Sequence, residues 1–211
     1  GNEFFDAIPI KQFSNINNEL FEKYYSVKNK INIIEKFIKS DEKDMTQIKK
    51  FETLKKLKFI EFPKKGFLEL NPIIKKINKL SGGILLIDYG YLNENNSNTI
   101  QAVMDNKKIS TETMLKNLGK ADITSLVNFN LLKEYFLKNK LKVKKIVTQR
   151  FFLERMGIIE RARILEKKKT NTEQIYMRET LSRLLDEKQM GTLFKVIFGY
   201  KNKENDFFGF D

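Results

Sequence analysis

Cysteine and histidine are both missing from the 211 residues. Without cysteine there is no disulfide, no thiolate metal site and no thiol nucleophile, which fits a reducing cytoplasm. Without histidine the commonest general base and metal ligand is gone, and a Ser-His-Asp triad is impossible. Long apolar runs are missing too. Gly83–Ile87 is strand-sized, far short of the roughly 20 residues that cross a bilayer. The opening stretch, Gly1-Asn2-Glu3-Phe4-Phe5-Asp6, carries no basic region and is not a signal peptide. The ten glycines form no G-x-G.

Arginine is scarce. It occurs only at positions 150, 155, 161, 163, 178 and 183, and the remaining basic residues of a chain with net charge +13 are lysine. Such a charge admits a nucleic-acid or anionic-membrane partner. It also follows from the codon usage of an AT-rich bacterial genome, which favours Lys, Asn and Ile together. No stretch interleaves aromatics with Arg or Gly as RNA-binding modules do, so no specific nucleic-acid partner is expected.

What is present suits one sizeable α/β domain. The hydrophobic share is 41%, with 18 Phe and 7 Tyr for bulky packing. Phe21–Val27 and Ile31–Ile38 read as a hairpin about Lys28-Asn29-Lys30. Ser40–Lys58, with Ile48, Phe51, Leu54 and Leu57 at three-residue spacing, reads as an amphipathic helix. Phe67–Leu70 reads as a short strand. Asn71-Pro72 then caps and starts a helix over Ile73–Leu80, which Ser81-Gly82-Gly83 ends. Ile84–Ile87 is continuously apolar, the mark of a strand covered on both faces. It runs into Asp88-Tyr89-Gly90-Tyr91 at its carboxyl end, where open α/β sheets bind ligands. Thr99–Met104 is a short strand, Ile123–Lys138 a helix and Leu141–Val147 a strand. Gln149–Glu166 and Thr172–Glu187 are helices, with Met190-Gly191 breaking the second, and Thr192–Tyr200 is the last strand. Residues 201–211 form a flexible tail.

Several stretches, in order, carry a resemblance. Asn2-Glu3-Phe4-Phe5-Asp6-Ala7-Ile8-Pro9-Ile10 is similar to the NE-apolar-apolar-DALP loop of the MidA-like methyltransferases, which include the mitochondrial complex I assembly-factor methyltransferases. Phe67–Pro72 resembles that family's strand followed by a Pro-started helix. Gly82–Tyr91 resembles its GG-apolar-DYGY strand, Thr99–Val103 its TLQAV segment and Gly119–Thr124 its GEADLT segment. Thr148-Gln149, Phe152-Leu153, Gly157-Ile158 and Met190–Val196 are similar to its closing segments. There are departures: Asn128 stands where the family tends to have Asp, and Ser125-Leu126 replaces an Ala-His pair. Nothing resembles the Gly-rich turn that cradles S-adenosylmethionine.

The resemblance implies the later portion of a class I (Rossmann-like) methyltransferase sheet, a single partial domain over 1–211. An inserted hairpin lobe would occupy about 20–70 and a helical insertion about 149–188. The cofactor turn and first strands would lie upstream of residue 1; Gly at position 1 is consistent with a start inside a longer protein, with processing or with a tag. It implies S-adenosylmethionine as cofactor and a protein arginine as methyl acceptor, with a respiratory complex subunit among the candidate partners. The alternative is a non-enzymatic assembly module that kept the later half of the fold.

Orienting a planar guanidinium is work for carboxylates, which accept paired N–H donors. Glu3, Asp6 and Asp88 are the catalytic candidates. Glu3 and Asp6 would face one cleft if their loop is a helical turn; they serve equally as an acidic pair at a helix start. Asp88 is either a site carboxylate or a turn residue. Asn2, Pro9, Tyr89, Gly90, Tyr91, Gln101, Asp122 and Gln149 are the substrate-binding candidates. Within that set Gly90 would permit a tight turn, and Asp122 also reads as the cap of a helix beginning near Ile123.

Overall fold

A computed structural model describes residues 1–28, 32–201 and 207–210. The expected turn at 29–30 lies outside the described residues. Three strands, β1 (Lys11–Ile16), β2 (Glu19–Lys28) and β3 (Asn32–Lys39), precede two short helices, α1 (Glu42–Ile48) and α2 (Glu52–Lys55), and strand β4 (Phe59–Phe62). The four strands form one antiparallel sheet in the order β3-β2-β1-β4. The single helix expected over 40–58 is two, because residues 49–51 interrupt it. The three-residue spacing survives as burial: Ile48, Phe51, Leu54 and Leu57 all sit in the core.

Helix α3 (Lys64–Leu80) corrects two expectations at once. Phe67–Leu70 is helix, not strand, and Asn71-Pro72 lies inside the helix rather than at its start. The reason is periodicity: Phe67, Leu70, Ile74 and Ile77 follow helical spacing and all are buried. Pro72 deprives the Leu68 carbonyl of its donor. Leu68 is on the exposed side, where water can replace that bond. Ser81, in the left-handed region at φ 56°, ends the helix.

Strand β5 (Gly83–Tyr91) is the centre of the second sheet. Beyond it come β6 (Gln101–Met104), β7 (Lys107–Ile109), helix α4 (Thr111–Lys116) and β8 (Asp122–Thr124), whose strands make a small sheet in the order β7-β6-β8. Then follow β9 (Val127–Asn128) and helix α5 (Phe129–Lys138). The helix expected from Ile123 therefore begins six residues late. Its cap is Asn128, whose side chain accepts the Leu131 N–H at 3.0 Å, not Asp122, which is exposed in β8. Ile123 and Thr124 are β-branched and pair with β6, which explains the switch.

The chain closes with β10 (Lys142–Val143), β11 (Val147–Thr148), helices α6 (Gln149–Arg155), α7 (Ile158–Glu166), α8 (Asn171–Leu185) and α9 (Met190–Leu193), and strand β12 (Phe194–Tyr200). Gly157, at φ 76°, splits the one helix expected over 149–166. β12 runs antiparallel to β5, while β9 runs parallel to it. Residues 1–3 also pair in parallel with β5, through Ile87 N–H to Gly1 O (2.9 Å) and Glu3 N–H to Ile87 O (3.0 Å). One face of this sheet carries Leu86 and Ile197 into the main core, with α3 and α5 over it; the other carries Leu85, Ile87, Val196 and Phe198 against Phe152 of α6. Of the expected flexible tail, Phe207 and Phe210 pack on Phe198, and residues 202–206 and 211 lie outside the described residues.

Candidate active site

Three segments converge at the carboxyl end of β5. The first is the loop 4–8. Phe5 is buried and packs against Phe67 at 6.2 Å between ring centroids, so the loop is anchored by an aromatic plug. The second is Asp88, on the core-facing side of β5 with Leu86 and Gly90. The third is Thr124–Asn128, held to the loop by the Ser125 N–H donating to the Asp6 carbonyl at 2.9 Å.

Asp88 is 2% exposed. Its carboxylate accepts the backbone N–H of Phe5 at 2.8 Å, of Asp6 at 3.3 Å and of Tyr89 at 2.9 Å. Burial pushes its pKa from 3.8 up to about 6, and the Asp6 charge adds to that, against the lowering effect of the N–H donors. Asp6 is also buried, and its Oδ1 has no hydrogen-bond partner. Burial pushes Tyr89 up to about 12, with Thr124 and Asp6 as its polar neighbours. Tyr91 is pushed up to about 12 by burial and by the Glu61 charge.

Glu3 takes a different place from Asp6. It is exposed, at φ 46°, and accepts from the Asn2 amide at 3.3 Å. The loop is not the helical turn that would put both acids on one side. Asn2 and Pro9 are exposed as well. Gly90 is in mid-strand, not in a turn: a Cβ there would lie 2.1 Å from the Val127 carbonyl oxygen, so its bareness is what lets β9 pair with β5. Gln101 pairs with Thr124 across β6 and β8. Gln149 is buried, but its amide donates to the Leu184 carbonyl at 3.1 Å, tying α6 to α8.

Sequence reasoning missed a second polar cluster beside the first. Glu61 of β4 accepts from Gln12 Nε2 (2.8 Å) and from the Thr99 N–H (3.0 Å) and hydroxyl (2.5 Å). Gln12 also donates to Asn98 at 2.7 Å, and Thr99 Oγ1 accepts the Leu126 N–H at 3.0 Å. Glu61 thereby ties the four-stranded sheet to the loop after β5 and to the segment before α5. It lines, with Phe5, Ile10, Tyr91, Ser125 and Asn128, a small cavity of about 20 Å³, room for a single water. The one available signal was an acid inside the apolar run Phe59-Ile60-Glu61-Phe62.

Residues 1–147 match the family model described as "Putative S-adenosyl-L-methionine-dependent methyltransferase". The chain belongs to this methyltransferase family. It is 29% identical, over 93% of its length and 45% of the relative's, to the protein arginine methyltransferase NDUFAF7 homolog, mitochondrial, of Caenorhabditis elegans. To protein arginine methyltransferase NDUFAF7, mitochondrial, of Xenopus laevis it is 25% identical over 92% of its length and 43% of the relative's. The chain thus spans under half the length of these curated relatives. Two solved structures from Burkholderia thailandensis, both of the COG1565 superfamily, share the fold at 17% identity. One has a TM-score of 0.76, with all of this chain and 55% of the other covered. The other, solved with S-adenosyl-homocysteine bound, has a TM-score of 0.75, with all of this chain and 53% of the other covered.

Members of this methyltransferase family take their methyl group from S-adenosyl-L-methionine. The residues that meet at the carboxyl end of β5 are acidic rather than Gly-rich. They hold two buried carboxylates, one with an open oxygen, but no G-x-G turn. Among the described residues no group of acids is placed to hold a metal ion, and no helix is long and apolar enough to cross a membrane. Asn128, where the family tends to have Asp, keeps the capping role that either residue performs.

Proposed function

We propose that this methyltransferase chain receives a protein arginine as its acceptor, with Asp6 orienting the guanidinium and Asp88 fixing the loop beside it, and that the cofactor is held largely by a Gly-rich turn outside residues 1–211. The observation that carries the reading is the Asp6 Oδ1 atom, buried and without a partner beside a second buried carboxylate. Such an arrangement is costly unless a donor arrives. Guanidinium brings five donors in a rigid fork and a permanent charge. Asp88 already spends its oxygens on three backbone N–H groups, so it fixes the loop, and its raised proton affinity suits it to hold a proton lost from the acceptor. Asp6 is left to take the ligand. Tyr89 walls the pair, and Glu3 stands outside it, at the rim where a peptide would pass.

The parallel pairing of residues 1–3 with β5 supports the reading as a later portion of a class I sheet, as does the short coverage of the relatives. The test is calorimetric titration of S-adenosylmethionine, and separately of N-acetyl-arginine methylamide, into this chain and into a form extended upstream. The expected result is cofactor binding by the extended form alone, arginine binding by both, and at least a tenfold loss of arginine binding in Asp6→Asn. Cofactor binding by the short chain would overturn the assignment of the cofactor turn. Absence of arginine binding in both forms would overturn the acceptor and favour an assembly module without catalysis. Turnover by residues 1–211 alone is not expected.

A further inference from the structure

Arginine is confined to one stretch. All six guanidinium groups fall between residues 150 and 183, on α6, α7 and α8, while every other basic position is lysine. Codon usage that trades Arg for Lys acts along the whole chain, so its failure here points to a need for the guanidinium itself. Two of the six are spent on ion pairs: Arg150 with Glu154 and Glu187, and Arg178 with Glu166. Arg155, Arg161, Arg163 and Arg183 have no carboxylate partner among the described residues. Glu160 and Glu179 are the glutamates on α7 and α8 with no ion pair there. From 158 to 169 the chain carries five basic side chains and two acidic ones.

The same helices are unusual in their packing. Neither α7 nor α8 has a buried residue. Ile164 is 62% exposed, Ile175 57% and Tyr176 72%, with Leu165 also exposed. Arg161, Ile164, Leu165 and Lys168 follow one another at helical spacing, so cations and aliphatic groups share a stripe. Most of the stability of a helix in a protein comes from an apolar face buried against something. These two helices half-bury Met177, Leu181 and Leu184 but leave Ile164, Leu165, Ile175 and Tyr176 to solvent.

We propose that the α7–α8 hairpin is a peripheral docking surface for an anionic phospholipid bilayer. Guanidinium groups pair with lipid phosphates, and the aliphatic side chains and Tyr176 enter the boundary between headgroups and acyl chains, as amphipathic basic helices do. The net charge of +13 draws the chain to such a surface. A folded protein partner fits less well, because anchor side chains need pockets. No residue of α7 or α8 lines any of five cavities formed by the described residues. RNA fits less well again, since Tyr176 is the one aromatic on these two helices that could stack.

The test is co-sedimentation of the purified chain with phosphatidylcholine vesicles, with and without about a quarter of phosphatidylglycerol, at physiological salt. Binding to the anionic vesicles alone is expected. Arg161→Gln with Arg163→Gln should weaken it roughly 30-fold, at about fivefold for each charge lost. Ile164→Ser with Tyr176→Ser should weaken it about tenfold while leaving its salt dependence unchanged. All four positions are exposed, so the thermal unfolding midpoint should stay put and serve as the folding control. No binding to anionic vesicles would overturn the proposal in favour of a protein partner. So would wild-type binding by both double variants, which would place the attraction in the chain's general charge. Loss in the arginine variant with none in the apolar one would overturn insertion of the side chains.

Discussion

Two buried aspartates in this molecule have opposite fates. Asp44, in α1, is fully buried and is held by Lys11 at 2.6 Å and by Lys64, with Glu22 sharing Lys11 at 3.0 Å. Burial works to raise its pKa, and the two lysines more than cancel it, so its proton affinity falls below the ordinary value. Asp88, at the sheet, is nearly as buried but has no cation. Backbone N–H groups alone hold it, a second carboxylate stands beside it, and its pKa climbs to about 6. The first site has everything a buried charge requires; the second is short of one positive partner. Around α1 the charges hold the four-stranded sheet region together, whereas the carboxyl end of β5 keeps a buried carboxylate pair without a cation. Perturbed, uncompensated buried charge of that kind is common at binding sites.

The comparison breaks most visibly at Asp44. Asp44→Ala strands two half-buried ammonium groups, and should cost about 3–5 kcal/mol in urea unfolding. A loss under about 1 kcal/mol would mean that Asp44 is no better satisfied than Asp88. Gly90→Ala comes next. Its Cβ would collide with backbone, not with a side chain that can move aside, so β9 must separate from β5 at about 3 kcal/mol. Because Ser125, whose N–H donates to the Asp6 carbonyl, lies two residues before β9, this variant should also weaken arginine binding. Retained binding would detach that segment from the site.

How much of this was legible beforehand depends on the kind of signal. Asp88-Tyr89-Gly90-Tyr91 was marked by an apolar strand ending in polar residues, and Asp6 by its place in a family-like loop. Strand β5 and the last strand followed from continuous apolar runs. Phe67–Leu70 was misread because four residues cannot separate a strand from a helix turn; only the longer spacing to Ile74 and Ile77 does so. Asp122 was misread as a cap because the true cap, Asn128, sits before the same helix six residues later. The partnership of Gln12, Glu61, Asn98 and Thr99 was not legible at all. Those residues lie far apart in the chain, and no local pattern announces a hydrogen bond across 38 or 86 positions. The resemblance singled out both Glu3 and Asp6; the contrast between them needed three dimensions.

Protonation sharpens the comparison further. The folded state raises the Asp88 pKa from 3.8 to about 6. Between those values the folded chain binds the proton that the unfolded chain releases, so stability falls as pH rises through this window. The loss should be of order 3 kcal/mol, complete a little above pH 6. Asp44 works in the opposite direction: its lowered pKa adds stability above the ordinary aspartate pKa and surrenders it as pH falls through the lower folded value. Chemical denaturation from pH 4 to 7 in wild type and in Asp88→Asn separates the two. A slope that persists in Asp88→Asn would assign the effect to another group.

The smallest expected effect on stability is the most telling one. Asp6→Ala removes a carboxylate whose Oδ1 contacts no donor. It relieves the burial of that open oxygen but gives up the contact with the Tyr89 hydroxyl, so stability should change by no more than about 1 kcal/mol. It also removes the neighbouring charge that helps to raise Asp88. The Asp88 midpoint, read by carboxyl carbon NMR, should therefore fall below about 6. A purely structural aspartate would behave in the reverse way, with stability lost and the midpoint unmoved. If Asp6→Ala is destabilised by more than about 1 kcal/mol, its open oxygen is met by something in the folded chain, and the contrast with Asp44 fails.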